Sequence, residues 1–198
     1  MDKVVAQIKY NRKEHKKFYL FHLTHRSNTL TIIGILIVAL GGLTIYNVSK
    51  NQSVIFSLVM FGAACGVFPF VIISKINQVV KQETPERARS TDTIEITKHK
   101  IIRSNDMVSG KAVIGWNNLE CVCENDNYFY FYTTNETGLF IKKDSIIEGD
   151  IETVRELALA NLKKGKKGVN YIRYGNVKRE YKKEMRIKKQ QEREKRKK

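Results

Sequence analysis

Two long uncharged segments dominate the pattern of hydrophobic and polar positions along the chain. The first runs from Ser27 to Ser49 and the second from Asn51 to Ser74, with only Lys50 between them. At about 1.5 Å per residue, either segment forms a helix of about 35 Å, against a hydrocarbon core of about 30 Å. The pattern therefore predicts a transmembrane helical hairpin over residues 27–49 and 51–74. The alternative is a buried hairpin of a soluble protein, but 198 residues leave little room to bury both helices on all sides.

Beyond residue 90 the pattern changes to short alternating stretches separated by turn-forming residues. Alternation of apolar and polar side chains is typical of strands, and Asn-rich and Asp-rich separators are typical of turns. We therefore expect an antiparallel β domain over residues 91–164, in which the tyrosines of the aromatic strand lie on an exposed face opposite the buried Phe129 and Phe131. The predicted strands are Thr93–Thr97, Lys100–Ser104, Lys111–Trp116, Leu119–Glu124, Tyr128–Tyr132 and Leu139–Lys142.

Further elements are predicted on both sides of these segments. Asp150 stands where it can cap an amphipathic helix whose apolar face closes the sheet. Residues 1–26 are expected to supply an edge strand at Val4–Tyr10 and a helix at Glu14–Arg26 that lies at the membrane interface. The fold class is thus an α+β membrane protein, with a transmembrane helical hairpin and a small antiparallel β domain closed by one C-terminal helix. The apolar positions of that helix are Ile151, Val154, Leu157, Ala158 and Leu162.

Positive charge flanks the apolar segments on their outer sides. Met1–Arg26 carries seven Lys or Arg and Lys75–Arg89 carries four, whereas the connection between the segments carries only Lys50. Segments rich in Lys and Arg remain on the cytoplasmic side of a membrane. We therefore expect a multi-pass protein of the cell membrane with both termini in the cytoplasm.

The basic tail, residues 165–198, is the strongest local signal. From Lys163 to Lys198 there are seventeen Lys or Arg and four Glu, which is +13 of the chain's net charge of +16. A helix is predicted from about Asn176, because Tyr174, Val177, Tyr181 and Met185 recur every three to four residues and Glu184 with Lys188 and Glu192 with Arg196 form favourable pairs. Anionic head groups of the inner leaflet are the nearest polyanion to a tethered tail; RNA or DNA is a competing partner, and a merely solvated charge run is the third alternative. The predicted lipid or polyanion contacts are Lys182, Lys183, Arg186, Lys188, Lys189, Arg193, Lys195 and Arg196.

Small residues in the apolar segments predict helix packing. Gly62 and Gly66 form a surface that another helix can approach closely, and Gly34, Gly41 and Gly42 offer a partner surface. Packing within the hairpin and formation of a homo-oligomer are the two alternatives. Neither segment contains an Asp, Glu, Lys, Arg or His, which argues against a transporter or pump.

The sequence predicts no enzyme, cofactor or metal site. His15, His22 and His25 lie roughly on one helical face, but no carboxylate pair accompanies them at the spacing of a metal site. Cys121 and Cys123 supply only two ligands, which is too few for a zinc site. A phosphate-binding loop and a Gly-x-Ser-x-Gly nucleophile turn are both absent from the sequence.

The order of these parts resembles the YcxB-like family of bacterial membrane proteins. The resemblance extends over roughly residues 5–163 and is carried by Phe18–Leu23, the hairpin, Trp116 with Leu119, the aromatic strand Tyr128–Tyr132, and Phe140–Lys143. The chain departs from the family at Phe140–Lys142, where the family tends to place a proline before the lysine, and in its long basic tail. The resemblance implies a small cytoplasmic β domain similar to a pleckstrin-homology fold and provides no catalytic residues.

These observations lead to one principal functional hypothesis and two alternatives. The principal hypothesis is a non-enzymatic membrane interaction or regulatory protein, whose β domain binds a protein partner while its tail engages anionic lipid. The first alternative is an immunity-type protein that protects the membrane against a membrane-active peptide. The second alternative is a membrane tether for nucleic acid.

Overall fold

The computed structural model describes residues 3–50, 54–82, 90–134, 137–162, 164–165 and 168–195. The chain divides into a helical unit, residues 11–88, and a β unit, residues 1–10 with 89–198. The helices are α1 (Arg12–His25), α2 (Thr29–Ser49), α3 (Ile55–Gln82), α4 (Ile151–Asn161) and α5 (Gly175–Lys195). The strands are β1 (Lys3–Lys9), β2 (Thr91–Thr97), β3 (Lys100–Asn105), β4 (Lys111–Gly115), β5 (Cys121–Glu124), β6 (Tyr128–Tyr132), β7 (Gly138–Lys142), β8 (Ile146–Glu148), β9 (Lys164–Gly165), β10 (Gly168–Val169) and β11 (Tyr171–Arg173).

The helical unit contains the two apolar helices that the sequence predicts. α1 begins after Asn11, whose side chain accepts a hydrogen bond from the backbone N–H of Lys13 at 2.9 Å. α2 and α3 are both long and apolar enough to cross a membrane. α2 has no buried side chain, so it is not packed like the core helix of a soluble protein. α3 continues past Lys75 to Gln82 and contains Pro69.

The hydrophobic core of the β unit lies between two larger sheets, and β9 and β10 form a separate two-stranded sheet. The first sheet has the order β4-β3-β2-β1-β8 and the second the order β11-β5-β6-β7. The predicted antiparallel region is confirmed. β11 lies beyond the predicted β domain and runs parallel to β5. Helix α4 contributes Val154, Leu157 and Ala158 to the core, where they join Phe129 and Phe131. Its predicted cap is present, because Asp150 Oδ1 accepts the N–H of Thr153 at 2.7 Å.

The N-terminal strand is in the interior of the first sheet. β1 pairs with β2 along its whole length and with β8 on its other side. The prediction of an edge strand at Val4–Tyr10 is therefore wrong, because β1 has a neighbour on each side. The helices α1 to α3 are consequently an insertion between the first two strands of one β unit. Since Lys9 pairs with Thr91, the chain leaves and re-enters the sheet at the same end.

The aromatic strand β6 has no exposed face. All five of its side chains are buried, with Tyr130 at 1% and Tyr132 at 0% exposure, so the prediction of an exposed tyrosine face is wrong. The tyrosines share their face with Cys121 and Cys123, which are also buried and whose sulfur atoms lie 3.9 Å apart. The Tyr128 ring packs edge-on against another aromatic ring of that face, Phe140. Both faces of the strand are thus covered, which the alternation of Phe and Tyr does not reveal.

Candidate functional site

The strongest candidate site is helix α5, and its first residues are fixed to the β unit. Asp126, in the turn between β5 and β6, accepts the backbone N–H of Asn176 at 2.9 Å and that of Val177 at 3.2 Å on Oδ1. Gly175 has a φ of +63°, and a Cβ at this position would lie 3.1 Å from both Asp126 carboxylate oxygens. A glycine is therefore required at the start of α5, and the helix begins at a defined point.

Arg173 adds a second connection between the sheet and α5. Its guanidinium lies between two aromatic rings, 4.6 Å from the Tyr171 centroid and 4.0 Å from the Tyr181 centroid. Tyr171 belongs to β11, whereas Tyr181 lies in the second turn of α5. The backbone N–H of Tyr174 also donates to the carbonyl oxygen of Glu124 at 2.8 Å. These contacts make the start of the tail part of the β unit.

Beneath this connection lies a buried carboxylate surrounded by cations, which we call the Glu124 cluster: Glu124, Lys143, Arg155, Tyr171 and Arg173. Glu124 is 0% exposed and accepts hydrogen bonds of 2.6 Å from each of Lys143 Nζ, Arg155 Nη2 and the Tyr171 hydroxyl. Arg173 Nε is 3.9 Å from the same carboxylate. Three cations thus surround one anion. These pairings offset the cost of burying the charged carboxylate.

The protonation states of the Glu124 cluster are fixed by its own contacts. Burial by itself raises the pKa of Glu124, but hydrogen bonds from Arg155, Lys143 and Tyr171 outweigh it, so that pKa lies below its ordinary value. Burial, followed by the hydrogen bond to Glu124, raises the pKa of Tyr171. The hydrogen bond to Glu124 likewise raises the pKa of Arg155. Near neutral pH Glu124 therefore stays ionised, and Tyr171 and Arg155 stay protonated. None of these three groups is suited to acid–base chemistry at that pH.

A cleft lies between α4 and α5 and shows which face of α5 is turned toward α4. The α5 residues that line it recur at spacings of three, four and seven, so one face of α5 is turned toward α4. The residues lining the cleft are Glu152, Arg155, Glu156 and Leu159 from α4, Arg173 from β11, and Val177, Glu180, Tyr181 and Glu184 from α5.

The opposite side of α5 is almost uniformly cationic. Its seven exposed Lys and Arg side chains, which we call the basic face, are Lys178, Arg179, Lys182, Lys183, Arg186, Lys189 and Arg193. Five of the residues predicted as lipid or polyanion contacts belong to it. Of the other three, Lys188 falls on the cleft side of the helix, Lys195 is its last residue, and Arg196 lies outside the described residues.

Lys178 and Arg179 were not among the predicted contacts. They join the basic face because they lie on the side of α5 opposite the cleft residues Val177, Glu180, Tyr181 and Glu184. The helical spacing of positive charge, rather than its density along the chain, is the signal that identifies them.

The predicted helix-packing glycines differ in their surroundings. A Cβ at Gly41 would lie 3.3 Å from Phe61 Cε2, so this glycine gives the Phe61 ring space between α2 and α3. A Cβ at Gly34, Gly42, Gly62 or Gly66 would meet nothing within 4 Å. Their use in forming a homo-oligomer therefore remains a prediction.

The histidines of α1 make local contacts. His15 Nδ1 lies 3.2 Å from the carbonyl oxygen of Asn11, and His25 stacks on Phe21 with ring centroids 4.5 Å apart. Within the part of the chain that the structure describes, no group of three or more His, Cys, Asp or Glu is arranged to hold a metal ion.

A known protein family matches a segment in the middle of the β unit. Residues 96–158 match the YcxB-like protein family. The resemblance to this family is therefore confirmed for that segment. The YcxB-like segment includes Glu124, Lys143 and Arg155 of the Glu124 cluster, whereas β1, the apolar helices, β11 and α5 lie outside it. No curated protein and no solved structure matches the chain.

Proposed function

We propose that this protein is a non-enzymatic, membrane-anchored interaction module, in which the basic face of α5 binds anionic lipid head groups. In this proposal α2 and α3 cross the bilayer and the β unit lies on the cytoplasmic side with both termini. The β unit has the pleckstrin-homology-like fold that the family resemblance implies, and its two larger sheets closed by α4 are compatible with that fold.

The observation that carries the proposal is the separation of charge around α5. Seven cations occupy one side of a 21-residue helix, which is about 30 Å long, and the acidic Glu180 and Glu184 line the cleft on the other side. A basic helix of this kind can lie against a charged surface along its length. Each Lys or Arg near an anionic membrane contributes about 1 kcal/mol.

Lipid is favoured over single-stranded nucleic acid by the position of the aromatic ring of α5. Proteins that bind single strands commonly stack bases on aromatic side chains beside a basic groove. Tyr181 is the one aromatic residue of α5, and its ring stacks on Arg173 and lines the cleft. The basic face therefore offers phosphate contacts without a surface for base stacking.

The pairing of β1 with β2 supports the proposed topology. One strand precedes the apolar helices and the other follows them, yet the two are hydrogen-bonded neighbours from Lys3 with Thr97 to Lys9 with Thr91. Two strands of one sheet lie on the same side of a membrane. Two crossings meet this requirement, and the cations outside the apolar segments favour the cytoplasm as the shared side.

The proposal is tested with a soluble variant in which a short Gly-Ser linker joins residue 10 to residue 90. The linker spans a small gap, because the N–H of Tyr10 already donates to the carbonyl oxygen of Ser90 at 3.2 Å. The substitutions Lys182→Gln and Arg186→Gln remove two charges from the basic face. Binding to phosphatidylglycerol vesicles should weaken by about thirtyfold, which corresponds to about 2 kcal/mol.

Lys98→Gln with Lys100→Gln is the matched control, because it removes the same charge from exposed positions outside α5. The control should bind vesicles as the unsubstituted variant does. Equal weakening by both pairs would mean that net charge, rather than the basic face, determines binding. Tighter binding to RNA than to these vesicles at physiological salt would refute the lipid role in favour of nucleic acid.

A further inference from the structure

The turn between β3 and β4 exposes two adjacent apolar side chains. Met107 is 58% exposed and Val108 is 66% exposed. The turn itself is well held, because Asn105 Oδ1 accepts the N–H of Met107 at 2.9 Å and Asp106 Oδ1 accepts the N–H of Thr91 at 2.8 Å. Polar residues and glycine are what a turn ordinarily favours. The conformation of this turn therefore does not account for the two apolar side chains at its tip.

The turn between β3 and β4 lies beside the first residue of β2. Asp106 is hydrogen-bonded to Thr91, the first residue of β2, and Thr91 pairs with Lys9 near the end of β1. The turn thus lies at the end of the sheet where the chain departs for the apolar helices and returns from them. At the other end, β2 and β3 are joined by Lys98 and His99, both polar and exposed.

We infer that Met107 and Val108 insert into the interfacial region of the lipid bilayer and form a second membrane contact of the β unit. This inference rests on the proposed membrane anchoring. In the proposed anchoring, the chain leaves this end of the sheet for the apolar helices and returns to it there, so this end is directed toward the bilayer. The connection between β2 and β3, at the opposite end, is polar. Lys111, exposed at the start of β4, follows the apolar pair as a cation suited to lipid phosphate. An apolar pair followed by a cation suits the membrane interface, where apolar acyl chains give way to charged head groups.

The inference is tested with the full chain reconstituted into phosphatidylcholine–phosphatidylglycerol vesicles. Cys65→Ala removes the exposed cysteine, and Cys121 and Cys123 are buried and remain unlabelled in the folded protein. Val108→Cys and, as matched control, His99→Cys each carry one environment-sensitive nitrobenzoxadiazole probe on a turn of the same sheet. At position 108 the probe should show blue-shifted emission and lose intensity when lipids labelled with nitroxide near the head group are included. At position 99 it should emit as in water and be insensitive to the nitroxide.

The possible outcomes separate this inference from the function on which it rests. Protein that remains in the vesicles after carbonate extraction but carries a water-exposed probe at position 108 overturns the inference alone. Protein released by carbonate extraction overturns the inference and the proposed anchoring together. A probe at 108 that lipid nitroxides do not quench, but that is shielded in native membranes, identifies a protein partner as the occupant and also overturns the inference.

Discussion

The replacement Glu124→Gln is the sharpest perturbation of the β unit. The amide keeps the size of the side chain but removes the buried negative charge that Lys143, Arg155 and Arg173 share. Glu124 is fully buried, and three of its donors lie at 2.6 Å. Removing one partner of a buried ion pair costs about 3–5 kcal/mol, because the remaining charges are left uncompensated.

This loss in the free energy of unfolding can be measured by urea unfolding followed through tryptophan fluorescence. Trp116 is the single tryptophan of the chain, is 5% exposed, and lies in the core of the β unit, so its signal reports on this unit alone. With a urea dependence of about 1–3 kcal/mol per molar, the midpoint should fall by about 2 M.

Glu152→Gln is the matched control for this replacement. Glu152 also pairs with Arg155, but its side chain is 69% exposed. Loss of an exposed pair should cost less than about 1 kcal/mol. If Glu124→Gln moved the midpoint no further than Glu152→Gln, the electrostatic role of the Glu124 cluster would be refuted.

Three further predictions use the same fluorescence signal. Because the pKa of Glu124 is lowered on folding, its stabilising contribution is complete above its ordinary value of 4.5 and is lost as pH falls through the lowered value; acid unfolding of Glu124→Gln should lack this component. Asp150→Ala removes the cap on Thr153 and should cost about 1 kcal/mol, and an unchanged midpoint would contradict the cap. Deleting residues 3–9 leaves β2 and β8 without their shared neighbour and should abolish cooperative unfolding, whereas a sharp transition would show that β1 is dispensable.

Local patterns predicted the elements of this fold well, whereas long-range pairing was beyond them. The uncharged segments predicted α2 and α3, and alternation predicted the strands from β2 to β7. The place of β1 depends on pairing with a strand more than eighty residues away, across the inserted helices. β11 has only three residues, and its parallel partner is likewise distant. Short sequence patterns carry no information about such partners.

Only part of the candidate site was predicted, because the site also depends on contacts between elements that are distant in the sequence. A dense run of Lys and Arg predicted a basic helix, but the members of its basic face depend on which side of α5 turns toward α4. Glu124 was missed, although it stands on the same side of β5 as the buried Val122. A carboxylate at a core position of an apolar strand is the sequence signal, but its partners Arg155 and Arg173 come from other elements.

The most direct test of the proposed membrane arrangement is labelling of single cysteines in intact cells with a membrane-impermeant maleimide, in a background with the native cysteines replaced. Lys50→Cys, at the connection between α2 and α3, should react from outside. Lys98→Cys in the β unit and Gln190→Cys in α5 should react only after the membrane is permeabilised. Reaction of Lys98→Cys or Gln190→Cys in intact cells, or protection of Lys50→Cys, would contradict a β unit held at the cytoplasmic face by two membrane-crossing helices.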